Sequence, residues 1–139
     1  MKTIRVSAAI IINQEGLVFA TERGYGDWKG YWEFPGGKRE EGETGEETIV
    51  REIQEELAST IQVDAFLKTV EYDYPTFHLT MDTYICSILD GNLELREHED
   101  ARWMKPTELH TLNWLPADEA LLEDLESFLR KNQKLVKTY

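Results

Sequence analysis

Three glutamates, Glu52, Glu55 and Glu56, follow directly on Arg51. Ile49, Ile53 and Leu57 recur at a spacing of four, with Val50 beside them. That apolar stripe predicts a helix over 44–58. Thr44 and Glu47 are spaced as a capping box at its start, and Glu46 and Glu47 suit the positive end of the helix dipole. Positions three and four apart share a helix face, so the three glutamates converge opposite the stripe. Carboxylates brought together in this way repel unless water or a cation lies between them. Hard oxygen ligands select Mg²⁺, Mn²⁺ or Ca²⁺. From the helix alone, a solvated acidic face and a metal-binding face both stay open.

The preceding segment bears on that choice. Glu33-Phe34-Pro35-Gly36-Gly37-Lys38 leads to Glu43. A Gly-Gly pair lets backbone approach a metal or phosphate closely. Five residues separate Gly37 from Glu43, and seven separate Glu43 from Arg51. This pattern of Gly37, Glu43, Arg51, Glu52, Ile53, Glu55 and Glu56 resembles the signature of the Nudix hydrolases. Trp32 to Lys38, and Leu115-Pro116-Ala117-Asp118 before an amphipathic helix, look like the MutT-type branch and the related CTP pyrophosphohydrolases. The sequence departs from the signature at its end. Ala58 stands for the usual glycine and Ser59 for the usual apolar residue. The usual glycine closes the helix at positive φ, so the change bears on the turn and removes no ligand.

The resemblance implies hydrolysis of a nucleoside triphosphate to the monophosphate and pyrophosphate, with Mg²⁺, or Mn²⁺ in its place, as cofactor. It implies that the Gly36 carbonyl, Glu56 and Glu97 hold one metal, with Glu52 and Glu55 binding further metal or its waters. Arg51 would orient the carboxylates by bidentate bonding, with Glu43 as its partner. Glu52 and Glu97 both remain candidates for the general base. Glu97 lies six residues before Trp103, the spacing of a metal-binding Glu in MutT-type relatives. Glu99 is its rival, and His98 is expected to be a bystander. The alternatives are hydrolysis of a nucleotide sugar or dinucleoside polyphosphate, or a Nudix module that only binds. Retention of all three helix glutamates disfavours the last.

On the substrate side, the resemblance assigns Arg23 to the phosphates and places Gly37 and Lys38 near them. Asp118 sits where 8-oxo-dGTP-hydrolysing relatives carry Asn. An ionised Asp only accepts hydrogen bonds, which favours base edges that present N–H groups. Cytosine nucleotides such as CTP or dCTP therefore join 8-oxo-dGTP as expected substrates. Trp28, Trp32, Trp103, Trp114, Tyr74 and Phe77 are available to stack on a base, and Phe34 ranks first among the aromatics for the base pocket.

The elements around these residues predict an α/β fold, a Nudix-type mixed β-sheet between helix layers (an α/β/α sandwich). Strands are expected at 4–12, 17–21, 61–73, 77–89 and 100–104, and a second helix at 117–131. Residues 24–42, rich in Gly, read as a long functional loop. The 139 residues suit one domain, 1–139. The lone Cys86 reads as a buried thiol in a reducing compartment. No signal segment or membrane-length apolar run is evident, so a cytoplasmic protein is expected, a monomer or homodimer. The net charge is −12. It argues against polymeric nucleic acid and against an anionic membrane as partners. Residues 37–59 hold eight acids and three bases, and residues 90–100 hold five acids and one base. Most of the acidity is therefore gathered in two segments expected to meet at one site.

Overall fold

The computed structural model describes residues 1–96 and 98–136. Glu97 therefore lies outside the described residues. Eleven elements follow in order among the described residues. Strand β1 is Lys2–Ile11, β2 Val18–Arg23, β3 Trp32–Glu33 and β4 Gly36–Lys38. Helix α1 is Gly45–Leu57, followed by β5 Thr60–Tyr74, β6 Phe77–Asp90 and β7 His98–Met104. A 3-10 helix, Pro106–Thr111, precedes α2 Pro116–Glu119 and α3 Leu122–Val136.

The mixed sheet runs β4-β1-β6-β5, with β1 parallel to β6 and the outer pairs antiparallel. The strands do not all join it. β3, β2 and β7 form a second, antiparallel sheet, bridged to the first at Ile12 and Val18. The change of sheet has a local cause. β1 already has β4 and β6 as neighbours, and Asn13 turns the chain by accepting from the Glu15 and Leu17 amides.

β1 is apolar on both faces because both are covered. Ala8 and Ile10 face a core shared with Leu121, Leu122 and Leu125, while Ala9 and Ile11 face Ile49, Ile53 and Leu57 of α1. Alternation along a strand sends successive side chains to opposite layers, so one ten-residue strand separates two cores.

Three expectations change. The segment 24–42 contains β3 and β4. β4 is invisible to hydrophobic patterning because its glycines lie flat against β1, where a Cβ on Gly36 would sit 2.0 Å from the Ser7 carbonyl oxygen. The last helix is broken into α2 and α3, and Asp118 lies in the short piece. Val50 is exposed, and Thr48 takes the buried place beside Ile49, donating to the Thr44 carbonyl and to Glu43.

Candidate active site

Helix α1 begins with the expected box. The Thr44 hydroxyl accepts from the Glu47 amide at 3.1 Å, and Glu47 accepts from the Thr44 amide at 2.9 Å. The fixed start sets which residues face the Gly36–Gly37 strand. Arg51 lies at the centre of that face. Its Nε and Nη2 donate to the two oxygens of Glu43 at 2.7 and 3.0 Å, the bidentate pairing that the family resemblance implied. Nη1 donates to Glu52 at 2.9 Å and to Glu55 at 3.4 Å, and Nη2 also donates to the Lys38 carbonyl at 3.1 Å. The Arg51 guanidinium and further bonds from the Glu40 amide and Thr48 hold the Glu43 carboxylate down to about 2. Arg51 is raised above its ordinary value, chiefly by Glu43, and is always charged.

The carboxylate of Glu52 lies directly over Gly37. A Cβ there would fall 2.4 to 2.7 Å from its carboxylate atoms, so a side chain at 37 would push the Glu52 carboxylate aside. Glu56 faces inward and is only 8% exposed, whereas Glu55 is exposed. A buried carboxylate is costly unless a cation or donors compensate it. The donors offered are all hard oxygens, which fits Mg²⁺ or Mn²⁺. Among the described residues no three such side chains are gathered closely enough to hold an ion. Arg51 occupies oxygens of Glu52 and Glu55 that a cation would claim.

Beyond the Gly36–Gly37 strand opens a cavity of about 600 Å³. Its apolar wall includes Trp28, Tyr74, Phe77 and Leu79, and its polar end is built by Arg23, Glu33 and Asp118. Trp28 meets Tyr74 edge-on at 5.8 Å, and Tyr74 stacks on Phe77 at 5.1 Å. Gly36 and Gly37 line this cavity too, so the acidic face and the cavity meet at one strand.

Several expected residues take places other than those assigned. The Arg23 guanidinium grips Glu33 at 2.9 and 3.1 Å within the cavity wall, and it is therefore spoken for at the polar end. Phe34 lines the cavity, with its ring mostly buried and stacked on Trp114 at 4.6 Å. Its amide also donates to Asp118 at 2.9 Å. Lys38 is exposed and joins the Arg51 network through its carbonyl. Trp32 is buried under Arg102, and Trp103 packs on Phe19. Sequence reasoning missed Glu33 as a site residue and read Tyr74 only as an aromatic available to stack on a base. Opposite charges across the β2–β3 pair signal Glu33 only once β3 is known, and the Tyr74 hydroxyl reaches the Ala117 amide by a fold-dependent contact.

Asp118 differs most from expectation. It is 5% exposed, and burial, with the neighbouring Glu33 charge adding to it, pushes its carboxyl up to about 8. At neutral pH it therefore carries a proton, and the argument from an ionised, purely accepting Asp does not hold. A neutral carboxyl presents a donor and an acceptor side by side, as an Asn amide does.

The profile of the NUDIX domain family matches residues 1–131. The chain belongs to the Nudix family. It is a Nudix hydrolase of MutT-like kind. An 8-oxo-dGTP diphosphatase of Escherichia coli (strain K12) is 32% identical over 91% of this chain and 98% of that one. A CTP pyrophosphohydrolase of the same strain is 32% identical over 88% of this chain and 91% of its own length. The solution structure of the E. coli ORF135 protein superposes with a TM-score of 0.79 at 32% identity, covering 91% of each chain. The signature helix α1, the Gly36–Gly37 strand and the cavity adjoin within this fold. No helix among the described residues is long and apolar enough to cross a membrane.

Proposed function

We propose that this chain hydrolyses a nucleoside triphosphate to the nucleoside monophosphate and pyrophosphate, with 8-oxo-dGTP or a cytosine nucleotide such as CTP or dCTP as substrate. The observation that carries this reading is the junction at Gly36–Gly37, where a carboxylate face and a base-sized cavity share one strand. We assign the Gly36 carbonyl, Glu52, Glu55 and Glu56 to a divalent cation, Mg²⁺ or Mn²⁺. Bound there, such a cation would supply phosphate-charge neutralisation and an activated water, and positioning and charge neutralisation carry most of phosphoryl-transfer catalysis.

The other roles belong to the chain itself. Arg51, anchored by Glu43, holds Glu52 and Glu55 on the side of α1 that faces the Gly36–Gly37 strand. Glu52 is the candidate general base, because it lies over Gly37 where the acidic face meets the cavity. Tyr74, Phe77 and Trp28 enclose the base. Neutral Asp118, fixed by the Phe34 amide, offers a paired donor and acceptor to the base edge. Both cytosine (N3 and the 4-amino group) and 8-oxoguanine (O6 and N1–H) present the complementary pair. Arg23 with Glu33 closes the polar end. Residues 1–139 act as one cytoplasmic hydrolase domain, monomeric or homodimeric, with neither nucleic-acid polymers nor membranes as partners.

The test is turnover of CTP, dCTP, dGTP, 8-oxo-dGTP and ADP-ribose with MgCl₂, scoring monophosphate and pyrophosphate. Release of monophosphate and pyrophosphate from a triphosphate, abolished by EDTA and restored by MnCl₂, is expected. No turnover of any triphosphate overturns the reading, and cleavage of ADP-ribose alone transfers it to another Nudix branch.

A further inference from the structure

The end of α1 departs from the family signature at two successive positions, and the structure shows how they are accommodated. Ala58 adopts the left-handed conformation, φ 50° and ψ 40°, which suits glycine better. The next residue compensates. Ser59 is 1% exposed, and its hydroxyl donates to the Leu57 carbonyl at 3.0 Å and accepts from the Leu93 amide at 2.8 Å. The Glu94 amide donates to the same Leu57 carbonyl at 2.8 Å. The last turn of α1 is thus tied at two points to residues 93–94. The facing segment is shaped for this contact. A Cβ on Gly91, whose φ is 101°, would lie 2.4 Å from the Ser59 hydroxyl and 2.8 Å from the Ala58 carbonyl oxygen. Leu93, itself at φ 53°, packs into the core that holds Ile53 and Leu57.

We propose that Ser59 is a positioning residue for the carboxylate face of α1, fastening the turn that carries Glu56 to the 91–94 segment. Glu56 directly precedes the residue whose carbonyl both ties hold, so a shift of that turn moves its carboxylate. An apolar residue at 59 can make neither bond and strands the buried Leu93 amide, which is costly. This inference rests on the proposed cation-binding role of Glu56.

The experiment titrates MnCl₂ into the protein and follows free Mn²⁺ by electron paramagnetic resonance, with no nucleotide present. Wild type is compared with Ser59→Ala and with the double variant Ala58→Gly/Ser59→Ala. Glycine at 58 relieves the left-handed alanine and restores melting temperature without restoring the hydroxyl. Binding about tenfold weaker than wild type is expected in both variants, the low end for groups that orient metal ligands. If the double variant binds Mn²⁺ as tightly as wild type, Ser59 is a stabilising residue only and the proposal is overturned. Should Ser59→Ala not fold, the double variant decides alone. A wild-type chain that binds no Mn²⁺ overturns the cation reading of α1, and this inference with it.

Discussion

Two carboxylates on either side of the Gly36–Gly37 strand are driven to opposite ends of the titration range. Glu43, 13% exposed, is held at about 2 because Arg51 donates to both of its oxygens. Asp118, 5% exposed, is pushed up to about 8 because burial, with the Glu33 charge adding to it, outweighs the backbone amides that it accepts and the nearby Arg23. One chemical group thus serves two tasks. On the α1 face a paired cation keeps charge in place, which suits phosphate and metal. In the cavity, burial removes charge and leaves a donor and an acceptor, which suits an uncharged base.

The contrast predicts where activity is most fragile. Glu56→Gln takes a formal charge from the proposed cation site while keeping shape, and kcat should fall about 10²-fold or more, with circular dichroism unchanged. A kcat within a few-fold of wild type would move the cation site away from α1. Arg51→Lys keeps the charge but loses the fork that grips Glu43 and Glu52 together. A loss of about tenfold in kcat/KM is expected, and an unchanged value would reduce Arg51 to a surface ion pair.

Asp118 should reveal itself in stability, with the opposite sign from Glu43. Asp118 titrates near 3.8 ordinarily and about 8 when folded. Between those values the native chain holds a proton that the unfolded chain has lost, so Asp118 makes stability fall as pH rises through that window. For Glu43 the folded value lies below the ordinary 4.5, so its contribution is present above that value and is lost as pH falls toward about 2. Melting temperatures of Asp118→Asn and wild type should therefore separate in favour of the variant as pH is raised from about 5 to about 8. Parallel curves would mean that Asp118 is ionised throughout.

Much of the α1 face was legible because its logic is local. Thr44 with Glu47, the Ile49-Ile53-Leu57 stripe and the Arg51-Glu52-Glu55-Glu56 run all follow from helical spacing, whereas the pairing of Arg51 with Glu43 came from the family resemblance. The cavity was less legible because its logic is long-range. Asp118 meets the Phe34 amide across 84 positions, and only the fold makes it dry enough to stay protonated. The stacking of Phe34 on Trp114 was hidden because nothing near Phe34 in sequence announces Trp114. Arg23 looked free for phosphates because Glu33 lies in a strand of two residues that no periodicity reveals.

The division of labour between the two regions is tested most directly by base preference against pH. The measurement is the ratio of kcat/KM for CTP to that for 8-oxo-dGTP, from about pH 6 to about pH 9, in wild type and Asp118→Asn. Comparison with the variant cancels titration of the nucleotides themselves. The two ratios should agree at the acidic end, where a protonated Asp118 offers the same donor and acceptor as the variant's amide. They should diverge as pH passes about 8, where Asp118 loses its proton and the amide does not. Ratios that stay parallel throughout, or turnover of neither nucleotide, would contradict base recognition by a neutral Asp118.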